Sequence, residues 1–156
     1  MHLFWQVINK IYKLQDYDST MNKIILALLL AGFGAQLVKL IILYFRHKTL
    51  AFKDVFVTGG MPSSHSAFVI SLATIIYLQE GTSTAFAISL VFAMVVIRDA
   101  YGVRRTAGQE GIVINQMMSK LKMKGETHFA MGHTPLQVTI GSIIGFLVSI
   151  GVYYFL

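Results

Sequence analysis

The sequence predicts an all-α, polytopic membrane bundle: about four transmembrane helices, with amphipathic helices at the N-terminus and in a loop. Three observations lead to this. Hydrophobic residues make up 55% of the 156 residues and charged ones only 13%, about half the charged share of a soluble domain. A chain this short cannot hide so much apolar surface in its own core, so lipid is the solvent for the excess. The apolar residues also fall into long runs, and the basic residues lie mostly between the runs. One integral membrane domain is expected over 1–156, with an interfacial amphipathic helix over 1–20 and a helical bundle over 24–156.

At the N-terminus, Leu3, Phe4, Val7, Ile8 and Ile11 recur at helical spacing, with Gln6, Asn9, Lys10 and Lys13 between them. Lys10 and Lys13 follow the apolar residues and no small-residue cleavage site appears, so this is not the pattern of a cleaved signal. Such a helix can lie in the membrane interface with Trp5 and Tyr12 as anchors, or pack on its own bundle. The first span is Ile24–Phe45, interrupted only by Gln36 and Lys39; a crossing takes roughly 20 residues. The second and third, Ser64–Gln79 and Thr82–Ile97, are short and joined by a tight turn at Glu80-Gly81. The fourth is Val138–Leu156. From Arg104 to Lys124 the sequence is mixed, with Ile112, Val113, Met117 and Leu121 at helical spacing among polar residues. It reads as an amphipathic helix on the membrane surface. Gly141 and Gly145 form a small-xxx-small pair suited to close helix packing.

The net charge is +6 and cysteine is absent. Disulfides, thiol catalysis and cysteine-based metal sites are excluded. Basic residues between apolar runs point to anionic lipid or an anionic substrate rather than to nucleic acid. Four spans place the loops 46–62 and 98–133 on one side. They carry Arg46, Lys48, Lys53, Arg98, Arg104, Arg105, Lys120, Lys122 and Lys124. The positive-inside rule makes that side cytoplasmic, in a multi-pass protein of the cell membrane. Lys10, Lys13 and Lys23 fall on the other side.

Three clusters of chemically capable residues gather on the basic face. Gly59-Gly60-Met61-Pro62-Ser63-Ser64-His65-Ser66 opens the second span. Its glycines permit a tight turn, Pro62 suits a helix start, and Ser63 or Ser64 can cap. Free N–H groups at a helix start favour a bound anion, with His65 in the first turn to face it. Arg98-Asp99-Ala100-Tyr101-Gly102-Val103-Arg104-Arg105 closes the third span. Arg104 and Arg105 can hold phosphate oxygens in their planar forks, and Asp99 can orient a histidine or pair with an arginine. Arg98 reads equally well as a snorkelling anchor. Gly132-His133-Thr134-Pro135-Leu136-Gln137 opens the fourth span with a second histidine. Lys39 lies six residues before the end of the first span, about 9 Å deep, on the same helix face as Arg46. A bound phosphate would partner it.

These three runs together resemble the divergent branch of the type-2 phosphatidic acid phosphatase superfamily, which is related to the vanadium haloperoxidases. The likeness covers roughly Gln36 to Gly145. The superfamily carries Lys-x6-Arg-Pro, Pro-Ser-Gly-His and Ser-Arg-x5-His-x3-Asp. Lys39 to Arg46 has the first spacing, with His47 in place of proline. Pro62-Ser63-Ser64-His65 matches the second with serine for glycine. His133 falls on the third, with Gln137 where the acid stands and Glu126-Thr127 where Ser-Arg stands.

The resemblance implies a membrane lipid phosphatase acting on a phosphate or diphosphate monoester of a lipid. His133 would be the nucleophile, forming a phosphohistidine, and His65 the acid for the leaving oxygen. Lys39, Ser63, Ser64, Arg104 and Arg105 would bind the phosphate. The group that orients His133 is Asp99, placed first beside the arginine pair, or Gln137, or Glu126. No cofactor and no metal are expected, since a basic site repels cations. The expected partners are a lipid phosphate substrate and membrane lipids, with no nucleic acid. With fewer spans than the superfamily usually has, a homodimer is expected to complete the enclosure. The competing readings are a non-catalytic binder of anionic lipid headgroups and a small transporter component.

Overall fold

The computed structural model describes residues 2–47, 60–123 and 131–156. Among them every regular element is helical. α1 is His2–His47, α2 Ser64–Glu80, α3 Thr84–Arg98, α4 Arg104–Lys120 and α5 Pro135–Phe155, with a π-helical turn over Asp99–Val103. The all-α membrane class holds. Helices covering Ser19–Phe45, Thr84–Lys120 and Pro135–Phe155 are long and apolar enough to cross a bilayer. With α2 beside them, the bundle fits the expected class of about four membrane helices. α2 has 17 residues, or about 25 Å, the short end of the roughly 17–25 residues that cross a bilayer.

Two expected boundaries are absent. α1 runs unbroken through position 20, where an interfacial helix and a separate span were expected. α3 continues through the π turn into α4, so no loop separates the third span from the amphipathic segment. No glycine or proline stands near position 20 to break α1, and Gly102 sits inside the π turn without interrupting the helix.

α2 is the centre of the bundle. It packs against α1, α3 and α5, and α1 also packs against α5. Between helices in lipid, burial of apolar surface drives little, because the solvent is as apolar as the core. Close approach by small residues does the work instead, and the sequence supplies it in register. Ala27, Ala31 and Ala35 recur every four residues on α1 and are wholly buried. Ala31 and Ala35 meet Ala67 of α2 with Ile144 and Val148 of α5 packed against them. Lys39 continues the same four-residue stripe and is therefore carried inward, 5% exposed. Gly141 and Gly145 lie on the backbone carbonyls of Ser63 and Ala67, where any Cβ would collide. One turn further on, the Ser71 and Ser149 hydroxyls share a hydrogen bond of 2.8 Å. Large apolar side chains face outward: Phe33, Ile88, Val95 and Leu147 are all more than half exposed. They are the lipid-facing surface of the bundle.

The helix ends are set by local chemistry. Gly81 takes φ +66° after α2, and Ser83 caps α3 by accepting from the Phe86 N–H, so the Glu80-Gly81 turn forms as expected. At the far end of the bundle Lys23 reaches the Tyr153 carbonyl at 3.4 Å and Gln79 donates to the Thr20 carbonyl at 3.2 Å. That leaves the C-terminal ends of α1 and α3 and the N-terminal ends of α2 and α5 together at the opposite end. On α4, Ile112, Val113, Met117 and Leu121 just beyond it are exposed, and the helix packs substantially only on the π turn.

Gly145→Ala pushes a methyl into the Ala67 carbonyl, whereas Gly151 has open space around its Cα. Thermal unfolding in detergent is expected to show Gly145→Ala destabilised by about 1–3 kcal/mol and Gly151→Ala unchanged within about 0.5 kcal/mol. Equal effects would contradict the α2–α5 register.

Candidate phosphate site

The position of His133 is built from the cap of α5. Thr134 is the N-cap, its hydroxyl accepts from the Gln137 N–H at 3.4 Å, and Pro135 occupies the first turn. The Gln137 side chain completes a capping box: Oε1 accepts the Thr134 N–H at 3.0 Å. The same oxygen lies 3.3 Å from Nδ1 of His133. Because a backbone N–H already donates to it, this atom is an acceptor, and Nδ1 must carry the proton. The neutral ring then holds its lone pair on Nε2. His133 is 7% exposed. Its own N–H donates to the Ala100 carbonyl at 2.9 Å, which fastens the loop to the π turn. Such turns redirect carbonyls away from regular helical pairing.

The second histidine comes from the start of α2. Ser63 is its N-cap, with Oγ accepting from the Ser66 N–H at 3.3 Å and from the Ser66 hydroxyl at 2.9 Å. The Ser63 N–H donates to the Gln137 carbonyl at 3.1 Å, so the two histidine-bearing helix starts are joined directly. Ser63 is fully buried and serves as a cap. Of the two serines named for phosphate, Ser64 is the one that lines open space together with His65. Gly60, at φ +86°, lies against the Lys39 chain, with its Cβ position 3.2 Å from Cε. Only glycine takes this conformation without strain.

The third piece is the π turn and the arginines after it. Arg104 Nε donates to Asp99 Oδ2 at 2.6 Å, an ion pair more than a third exposed. This corrects the first-placed role for Asp99. Its carboxylate pairs with Arg104, and Gln137 holds the imidazole. The charges of Arg104, Lys39 and Asp99 all act on His65. Arg105 is exposed and does not figure among them. Gly132 lies on the Arg104–Arg105 backbone so closely that any side chain would collide. Arg98 stacks on Tyr101, 5.4 Å from its centroid. Among the described residues no three His, Asp or Glu side chains gather as a metal set would require. Glu126-Thr127 and Gly59, together with the side chains of Arg46 and His47, lie outside the described residues.

Burial holds His133 below the usual histidine range. The Gln137 bond opposes this, the charges of His65 and Lys39 reinforce it, and a Gly60 backbone bond opposes it. The net result is a neutral imidazole near pH 7. The site thus gathers a neutral buried imidazole, a second imidazole, Lys39 and Arg104, at the point where the N-termini of α2 and α5 converge. Both helix starts favour an anion. Sequence reasoning ranked Gln137 behind Asp99. The signal that identifies it was present, since Thr134-Pro135-Leu136-Gln137 has the capping-box spacing.

Comparison with known proteins agrees with this architecture. The sequence pattern described as the Divergent PAP2 family matches residues 20–148. A Bacillus subtilis (strain 168) protein named uncharacterized membrane protein YuiD is 36% identical over 149 residues, spanning 84% of this chain and 94% of that one. No solved structure matches.

An NMR titration of imidazole-labelled protein is expected to place the His133 midpoint below the usual value of about 6.5. Gln137→Glu sets a carboxylate on the Nδ1 proton, stabilises the imidazolium and raises the midpoint by about 1–3 units. A midpoint that does not move in that variant would exclude the assigned bond.

Proposed function

Because the chain belongs to the Divergent PAP2 family, we propose that it is a membrane lipid phosphatase that hydrolyses a phosphate or diphosphate monoester of a lipid through a phosphohistidine. The observation that carries this reading is the His133–Gln137 arrangement, which leaves Nε2 unprotonated beside a second histidine and two cations. Phosphoryl transfer asks for an in-line nucleophile, an acid opposite it and fixed positive charge around phosphorus. In the first step Nε2 of His133 forms a bond to phosphorus as the bond to the lipid oxygen breaks, and His65 delivers its proton to that oxygen. In the second, water attacks phosphorus, gives its proton to His65 and releases phosphate with His133 restored. Lys39 and Arg104 bear the charge that develops on the equatorial oxygens. Gln137 supplies orientation without negative charge, so the imidazole it holds is less basic than one held by a carboxylate.

One observation favours a second reading, a non-catalytic binder of anionic headgroups. Among the described residues it is Gln137 and not a carboxylate that bonds His133, and Arg104 is already engaged by Asp99. Purified protein with lipid phosphates separates the two, since tight binding without phosphate release belongs to the binder alone.

Under the catalytic reading, His133→Ala lowers phosphate release by about three orders of magnitude or more, and His65→Ala by about 10²–10⁴-fold. Arg104→Ala costs about 10²-fold or more, whereas Arg105→Ala stays within about threefold, a contrast that follows from which arginine acts on His65. The nucleophile must be neutral, so turnover falls as pH drops through the lowered His133 value, below about 6.5. Gln137→Glu moves that acid limb to higher pH. An acid limb unaffected by this change would remove His133 from the nucleophilic step.

A further inference from the structure

A cleft of about 410 Å³ opens on the flank of the bundle between α1 and α3, floored by α2. It exists because α1 and α3 both pack on α2 yet share no substantial contact with each other. Phe33 and Gln36 line it from α1, Phe68 from α2, and Phe92 and Val96 from α3, with His65 and Ser64 at one end. The three helices agree on which end is polar. Gln36 precedes Lys39 by one turn, Val96 precedes the π turn by one turn, and His65 opens α2. Moving away from the site, the wall becomes Gly32, Phe92 and Val69, all apolar. Gly32 shapes it further: a Cβ there would meet the Phe68 ring at 2.9 Å and displace it.

We propose that this cleft seats one apolar chain of the lipid whose phosphate lies at His65, an inference that rests on the site being one for a lipid phosphate. The cleft is continuous with the site, because His65 and Ser64 belong to both. Its lining is apolar along the depth of the spans and polar only where the headgroup lies. Its volume is at the low end of the ~300–1,000 Å³ typical of small-molecule pockets, enough for one chain segment and not for a bulky apolar headgroup. A lipid tail leaves one apolar solvent for another when it enters, so little affinity is gained by burial alone. The cleft selects and aligns. A chain lying in it brings the ester oxygen to His65 in one orientation, on the face where Lys39 and Arg104 bear.

The test is labelling that does not depend on turnover. The full chain in phosphatidylcholine nanodiscs is irradiated with a single-chain alkyl phosphate carrying a mid-chain diazirine, and the labelled peptides are mapped. Label is expected on residues 32–36, 65–69 and 92–96, falling fivefold or more with excess unlabelled alkyl phosphate. Val96→Trp, which fills the cleft, lowers it to the same extent, and Val91→Trp on the lipid-facing side of α3 leaves it unchanged. Label spread evenly over outward faces such as Ile88 and Leu147, or indifferent to competitor, overturns the proposal. So does label unaffected by Val96→Trp in a folded protein. Should that variant not fold, the competed map of the unaltered chain decides. Cleft labelling without phosphate release supports the cleft and counts against the catalytic reading.

Discussion

The arrangement of the site depends on one residue that bonds three ways. The side-chain oxygen of Gln137 accepts the Thr134 N–H and faces Nδ1 of His133, while its backbone carbonyl accepts the Ser63 N–H. A helix cap, a tautomer and a contact between two helix starts are therefore one piece of geometry. An uncapped helix start in an apolar setting leaves polar groups unsatisfied. Here the group that satisfies them also decides which imidazole nitrogen is available for chemistry.

The electrostatics follow from where helices begin. α2 and α5 both start at the site, so their partial positive ends add to Lys39 and Arg104. Asp99 offsets part of that excess through its 2.6 Å bond to Arg104. An anion with several oxygens fits such a surplus better than a single carboxylate does. The cost of holding a lysine below the headgroups is met by register: Lys39 continues the line of Ala27, Ala31 and Ala35, and cannot turn outward without rotating the whole helix.

Much of this was legible in the sequence. The helical membrane class followed from composition and run length, and the gathering of three motifs followed from counting spans. The charge of Lys39 acts on both His65 and His133. The difference between Arg104 and Arg105 was not legible, because both are exposed and it is the Asp99 ion pair of Arg104 that sets them apart. Asp99 was ranked above Gln137 because it sits beside the arginine pair, and that same proximity gives its carboxylate to Arg104. α2 is short for a crossing at 17 residues, as its apolar run in the sequence indicated. The continuity of α3 into α4 was missed because the charged residues from Arg98 onward read as the end of a span, whereas the π turn carries Gly102 within an unbroken helical run.

The seating of Gly141 and Gly145 on the carbonyls of Ser63 and Ala67 bears on how the protein is made. Backbone against backbone leaves no side chain to adjust, so α5 either docks fully or not at all. α5 follows every other helix in chain order. A nascent chain halted after α4 holds Lys39, His65 and Arg104 in the bilayer but lacks the imidazole at 133. The candidate site is thus incomplete until α5 has been inserted.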